Sequence, residues 1–248
     1  MSIEPATVKR RVFGGFRLAV GLLLFASVLT QIVDQVQHDA FLPAEYFGYF
    51  TVQSSLLNAG LLLVGGSLAL RYRVDPELFT RFRMSGLCYA IVTAVVYNAL
   101  LRNVVSDGFT GIAWPNEVLH VWAPIVILLD WLFAPGRPAL AWKALGFALL
   151  YPIVWAVFAV IRGALTGFYT YPFLDPNGPG GYTGVAAYVL GIAVVISGLA
   201  AAAISVSRAP GTPEAGGIGV SRPVLTTDPA GSGPPACASP SSRGRAEN

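Results

Sequence analysis

The chain has 248 residues, of which 54% are hydrophobic and only 12% are charged. Soluble domains carry roughly 25% charged residues, so the composition excludes an ordinary water-soluble globular protein and indicates a membrane protein. The formal net charge is only +3, and we expect the basic residues to determine membrane topology rather than to bind nucleic acid. The two cysteines, Cys88 and Cys237, give no basis for a disulfide framework.

Long apolar runs recur along the chain, and each approaches the length of about 20 residues that a helix needs to cross the hydrocarbon core. We place them at residues 14–34, 47–70, 84–104, 118–135, 141–165 and 182–206. The sequence therefore predicts an all-α membrane protein, a bundle of six transmembrane helices within residues 13–207. Residues 1–12 form the N-terminus before the bundle.

The distribution of basic residues predicts the orientation of the bundle. Lysines and arginines precede the first span, lie between the second and third and between the fourth and fifth, and follow the sixth; they include Lys9, Arg10, Arg71, Arg83, Arg137, Lys143 and Arg208. By the positive-inside rule both termini are cytoplasmic, in a multipass protein of the cell membrane. A cleaved signal peptide over residues 1–30 is disfavoured, since no small-residue cleavage site follows. Residues 208–248 are rich in Pro, Gly, Ser and Ala and predict a disordered cytoplasmic tail.

Polar side chains gather at the outer ends of the predicted helices, and such groups are costly in a membrane unless they face a partner or water. Thr51, Ser55 and Asn58 follow the i, i+4, i+7 spacing of one helix face. His120 lies a few residues into the fourth helix, which enters from the same side, so its imidazole and the Thr51 hydroxyl can lie at similar depth. The same predicted layer also contains Gln31, Asp34, Tyr97, Asn98, Arg102, Glu117 and Arg162.

Three interpretations of this layer are open from the residues alone. Thr51 and His120 can form a nucleophile and base, the polar groups can hold helices together, or they can line a path for a solute. Arg102 and Arg162 can likewise pair with Asp34 or Glu117, or hold a substrate carboxylate.

Other polar residues have more restricted interpretations. Asp130 is too far along its helix to orient His120, and we expect it to pair helices or lie at the interface. A metal site would need His38 and His120 to converge with an acidic residue, so we predict no metal and no cofactor. The loop of residues 166–181 contains YTYPF and three prolines and predicts a compact interfacial turn.

Three segments carry a resemblance to a known family: YFTVQSSLLNA, NEVLHVWAPIVILLDW and ALLYPIVWAVFAVIRGALTGFYTYPFLDP. Together they resemble bacterial six-span membrane proteins related to the androgen-induced and androgen-dependent multipass proteins of animals. The resemblance covers nearly all of residues 12–206. The segment between the threonine and the histidine looks shorter here than in the animal proteins.

The resemblance implies a threonine hydrolase that cleaves lipid esters, such as fatty acid esters of hydroxy fatty acids. Thr51 matches the nucleophile position and His120 matches the histidine. Glu117 or Asp34 could orient His120, and Gln53, Ser54, Ser55, Asn58 or Asn98 could stabilise the oxyanion. We therefore expect Thr51 and His120 to be catalytic and Arg102, Arg162, Asn58 and Asn98 to bind substrate. A transporter or binding protein that uses the same layer, and a scaffold that acts through its tail, are the alternatives.

Overall fold

The computed structural model describes residues 5–102 and 111–209, and within these ranges the chain forms helices and no β-strand. The α-helices are α1 (Val8–Gln37), α2 (Pro43–Tyr46), α3 (Phe50–Arg71), α4 (Glu77–Val96), α5 (Ala113–Glu117), α6 (Ala123–Phe133), α7 (Ala144–Thr166) and α8 (Gly181–Arg208). A π-helical segment, Tyr97–Leu101, extends α4, and another, Val118–Trp122, joins α5 to α6.

Six helical segments of the described chain are long and apolar enough to cross a membrane, which confirms the predicted all-α, six-span architecture. They are Val8–Gln37, Phe50–Arg71, Glu77–Leu101, Ala113–Phe133, Ala144–Thr166 and Gly181–Arg208. The cytoplasmic orientation of the termini stays a prediction. The predicted tail from residue 210 onward, with Cys237, lies outside the described residues, whereas Cys88 is a buried free thiol.

The first helix begins six residues earlier than the apolar pattern predicts. Thr7 caps it, its hydroxyl accepting a hydrogen bond from the backbone N–H of Arg10 at 3.3 Å. The helix therefore includes Lys9, Arg10 and Arg11, which a hydropathy pattern assigns to the preceding segment. Arg10 and Arg17 are buried in the bundle. They therefore do not face lipid headgroups, contrary to the expectation for the basic residues.

Helices α1 and α3 make the most extensive contact in the bundle, and glycines allow their backbones to approach closely. A Cβ on Gly66 would lie 2.8 Å from the backbone oxygen of Gly14, and one on Gly21 would lie 3.1 Å from the oxygen of Ala59. Small residues are the usual means by which membrane helices pack, because lipid provides no hydrophobic drive for their association.

Two prolines inside the spans remove backbone donors, and side chains replace them. Pro124 cannot donate to the carbonyl of His120, which instead accepts a hydrogen bond from the Asn98 amide at 3.2 Å. Pro152 likewise has no N–H for the carbonyl of Ala148, which instead accepts a hydrogen bond from the Tyr89 hydroxyl at 2.9 Å. Each proline thus fixes a neighbouring helix by a side-chain hydrogen bond, as membrane helices require.

A buried ion-pair network holds the end of the bundle at which α1 begins. Asp130 on α6 accepts from Arg17 on α1 at 2.8 Å and from Arg83 on α4 at 2.7 Å. Asp75, between α3 and α4, pairs with Arg10 and Arg83. The prediction that Asp130 pairs helices is confirmed.

Candidate functional site

An apolar cleft lies between α3, α4, α7 and α8, at the end of the bundle opposite the ion-pair network. Its volume is about 760 Å³, including the part that opens to the outside. Aliphatic and aromatic side chains line most of it, among them Val92, Val96, Leu149, Trp155, Ile192 and Ile196. The hydroxyl-bearing residues in its lining are Thr51, Thr93, Tyr97 and Tyr171. An apolar cleft with a few polar groups at one place is the usual form of a small-molecule site.

The Thr51 hydroxyl lies at the N-terminal end of α3. Its oxygen is 3.4 Å from the Tyr171 hydroxyl, and the backbone N–H of Thr51 points to the same tyrosine oxygen at 3.5 Å. The N–H groups of a first helical turn have no intrahelical partner, and the helix dipole favours negative charge there. Negative charge that develops on an oxygen beside Thr51 would therefore be stabilised.

Tyr171 belongs to the segment that follows α7, directly before the 3₁₀ turn Pro172–Leu174. Burial raises the pKa of Tyr171 above its ordinary value of 10.0, so this hydroxyl stays protonated at neutral pH. It can donate a hydrogen bond but does not serve as a base. The YTYPF motif indicated a compact turn, as observed, but not that one of its tyrosines would contact Thr51.

His120 is buried in the π-helical segment Val118–Trp122, and its ring is stacked on that of Tyr97 with the centroids 3.9 Å apart. Its Nδ1 lies 2.9 Å from the backbone oxygen of Asn116. We assign the proton to Nδ1, since a carbonyl only accepts, and Nε2 is then the basic nitrogen. Tyr97 also begins a π-helical segment, and such segments are frequent at functional sites.

The carboxylates considered for orienting His120 have other partners. Glu117 pairs with Arg102, and Asp34 accepts a hydrogen bond from the backbone N–H of Ile112 at 2.8 Å. The backbone carbonyl of Asn116 therefore orients the imidazole. No motif would have shown this, since the sequence gives no sign of which carbonyl a side chain meets.

Thr51 and His120 lie near the same end of the bundle but are not hydrogen-bonded to each other in the described part of the chain. Tyr97 connects them, since it lines the cleft together with Thr51 and stacks on His120. The Tyr97 hydroxyl accepts a hydrogen bond from the Asn116 amide at 2.6 Å. The sequence placed Tyr97 in the polar layer without giving it this role.

The other residues expected to bind substrate have separate positions. Asn98 accepts a hydrogen bond from Arg102 at 2.6 Å and supports the carbonyl of His120, so both belong to the network behind the imidazole. Asn58 donates to the backbone oxygen of Gly86 at 3.1 Å and is buried between α3 and α4. It lines a small cavity with Ser54 and Ser55, whereas Thr51 faces the cleft.

Two arginines, Arg102 and Arg162, were expected to bind substrate. Arg162, near the end of α7, is the one that pairs with no carboxylate of the described residues. Its Nη1 is buried without a hydrogen-bond partner and lies next to Gly48, where an added Cβ would be 2.3 Å away. Its guanidinium lies over the ring of Phe168 at 5.0 Å. The arginine is also close enough to Tyr49 to influence it electrostatically, and Tyr49 packs against Tyr171. The cation thus lies beside the segment that precedes α3, outside the lining of the cleft.

No three His, Cys, Asp or Glu side chains of the described residues come together as a metal site would require. In comparisons with known proteins, no family model, no curated protein and no solved structure matches the chain. Function has to be argued from the cleft and the residues around it.

Proposed function

We propose that the protein is an intramembrane hydrolase of lipid esters that uses Thr51 as its nucleophile. Thr51 lies at the N-terminal end of α3 in the lining of an apolar cleft, and its hydroxyl contacts that of Tyr171. This position is the main support for the proposal. The apolar lining of the cleft suits an acyl chain, and Thr51 and Tyr171 supply hydroxyl groups for its ester. The resemblance of the chain to threonine hydrolases supports the same assignment.

The reaction follows the general scheme of acyl transfer. The Thr51 oxygen attacks the ester carbonyl, and its proton passes to Nε2 of His120; the two side chains have to come within reach of each other for this transfer, since each has a different partner. Protonated His120 then gives this proton to the departing alcohol, and water releases the fatty acid from Thr51 by the same route. Tyr171 and the first N–H groups of α3 are the donors available to the oxyanion.

Arg162 supports a second property of the proposed substrate, a free carboxylate. Its buried, unpartnered Nη1 lies next to Gly48, two residues before α3 begins, and it suits a lipid ester that also carries a carboxylate, because an arginine and a carboxylate form strong charge-assisted hydrogen bonds. A fatty acid ester of a hydroxy fatty acid has this chemistry. We further propose that the site faces away from the cytoplasm in the cell membrane, with both termini cytoplasmic.

Labelling with a fluorophosphonate probe tests the proposal. Purified wild-type protein should react, and Thr51→Ala and His120→Ala should lose the label. Thr166→Ala and His38→Ala are the matched controls, because both residues are exposed and lie away from the cleft lining. Equal labelling of Thr51→Ala and wild type would refute the assignment of Thr51 as the nucleophile.

A second candidate function is lipid binding or transport in the same cleft without catalysis. It is favoured by the fact that Thr51 and His120 each have a different partner, Tyr171 for the hydroxyl and Asn116 for the imidazole. A fluorescent fatty acid would then bind the wild type and His120→Ala equally well, and no ester would be consumed by either protein.

A further inference from the structure

Among the residues that the structure describes, the end of the bundle at which α1 begins contains more buried positive than negative charge. Four arginines and two aspartates form one cluster with a net charge of +2: Arg10, Arg17, Arg83, Arg137, Asp75 and Asp130. All six residues are buried, the most exposed being Arg83 at 8%. Charge buried without compensation is unfavourable, so such a surplus calls for a reason.

The two aspartates are fully engaged by three of the arginines. Asp75 pairs with Arg10 through one carboxylate oxygen and with Arg83 through the other at 2.5 Å. Asp130 pairs with Arg17 at 2.8 Å and with Arg83 at 2.7 Å. Each of the four carboxylate oxygens thus already accepts a hydrogen bond from an arginine other than Arg137.

Arg137 is the arginine left over. It is 2% exposed, and its guanidinium lies 4.6 Å from the centre of the Trp131 ring. Its one hydrogen bond in the described chain is a long contact of 3.5 Å from Nη2 to the carbonyl of Val206. Its Nε and Nη1 are buried without a partner, as are Nη2 of Arg17 and Nε1 of Trp131. Four donor atoms of one cluster thus lack an acceptor.

We propose that this cluster binds a phosphoryl anion, with Arg137, Arg17 and Trp131 supplying the donors. A phosphate group offers several acceptor oxygens and up to two negative charges, which matches both the unpartnered donors and the net charge of +2. Arginine is well suited to phosphate, and an indole N–H is a donor only. A small cleft lined in part by Arg83, Asp130 and Trp131 lies beside the cluster.

The electrostatics of Arg137 agree with this assignment. Burial, and after it the proximity of Arg83, lower the pKa of Arg137 to about 10 from its ordinary value of 12.5. A bound anion would reverse this destabilisation of the charged form. The phosphoryl group can belong to the headgroup of an anionic lipid or to a soluble phosphate, since the chemistry of recognition is the same.

Thermal unfolding of the purified, delipidated protein tests the proposal. Inorganic phosphate is titrated against gluconate at constant ionic strength in one arm, and phosphatidic acid in mixed micelles against phosphatidylcholine in the other. The variants are Arg137→Gln, Arg137→Lys and Arg11→Gln. Arg11 is the matched control, because it is an exposed arginine at the same end of the bundle.

We expect phosphate or phosphatidic acid to raise the Tm of wild type and Arg11→Gln alike. In Arg137→Gln the apparent affinity should fall by at least about tenfold, the effect of losing a charge-assisted hydrogen bond, and Arg137→Lys should fall between the two. Without anion, Arg137→Gln should be no less stable than wild type, whereas loss of a purely structural arginine would lower the Tm.

A response to phosphatidic acid alone identifies a lipid headgroup as the ligand, and a response to inorganic phosphate identifies a soluble one. Equal shifts in Arg137→Gln and Arg11→Gln, or no shift of wild type in either arm, would overturn the proposal.

Discussion

Asp130 is the residue whose replacement should cost the most stability, because it joins three helices by charge. Both of its carboxylate oxygens accept hydrogen bonds, one from Arg17 on α1 at 2.8 Å and one from Arg83 on α4 at 2.7 Å. The substitution Asp130→Asn keeps the shape and removes the negative charge. It leaves the four buried arginines of the cluster with one carboxylate, that of Asp75.

Removal of one partner from a buried ion pair typically costs about 3–5 kcal/mol, since the remaining charge stays desolvated. We expect a loss of that order in the free energy of unfolding, measured by SDS titration in mixed micelles with tryptophan fluorescence. Glu77→Gln is the control. Glu77 also pairs with an arginine, Arg81 at 2.6 Å, but its side chain is 53% exposed, so its loss should matter far less.

The double variant Arg17→Gln with Asp130→Asn should lose less stability than the sum of the two single variants, because both remove the same interaction. A stability of Asp130→Asn equal to or above that of Glu77→Gln would mean that the buried charges are compensated by something other than these ion pairs.

Three further predictions concern the cleft and the packing of α3. Burial raises the pKa of Tyr171 above 10.0, so its neutral form stabilises the fold fully below pH 10 and this stabilisation is lost as pH rises further; Tyr171→Phe should show a shallower decline of Tm above pH 10 than wild type. Arg162→Gln should weaken turnover of a lipid ester with a free carboxylate by at least about tenfold while its methyl ester is unaffected, and equal effects on both esters would exclude the proposed contact. Gly86→Ala should lose about 1–3 kcal/mol of stability, since the new Cβ would lie 2.4 Å from the Asn58 side-chain oxygen; an unchanged Tm would show that α3 and α4 can separate freely.

Hydropathy was enough to predict the six spans, because length and apolar composition alone determine which segments can cross a bilayer. It placed the start of α1 at residue 14, six residues too late, and it did not show that Arg10 and Arg17 are buried. The positive-inside rule treats an arginine as a residue that stays in water, and nothing local indicates that Asp75 and Asp130 will pair with these two.

Helical periodicity predicted that Thr51 and Asn58 share a face, but not that they have different surroundings. Seven residues span about 10 Å along a helix axis, and over that distance the neighbour of α3 changes. Thr51 meets Tyr171 from the loop after α7, whereas Asn58 meets the backbone of α4 at Gly86. Contacts made by a loop or a backbone carbonyl depend on tertiary packing, so sequence spacing does not reveal them.

The proposed mechanism requires that Thr51 is acylated during turnover. The most direct measurement incubates the purified protein with a long-chain lipid ester, quenches the reaction in acid, and locates the added acyl mass by peptide mass spectrometry. We predict an acyl group on Thr51 in the wild type and none in Thr51→Ala or His120→Ala. Ester hydrolysis by Thr51→Ala at the wild-type rate, or an acyl group on a different residue such as Ser54, would contradict the proposed mechanism.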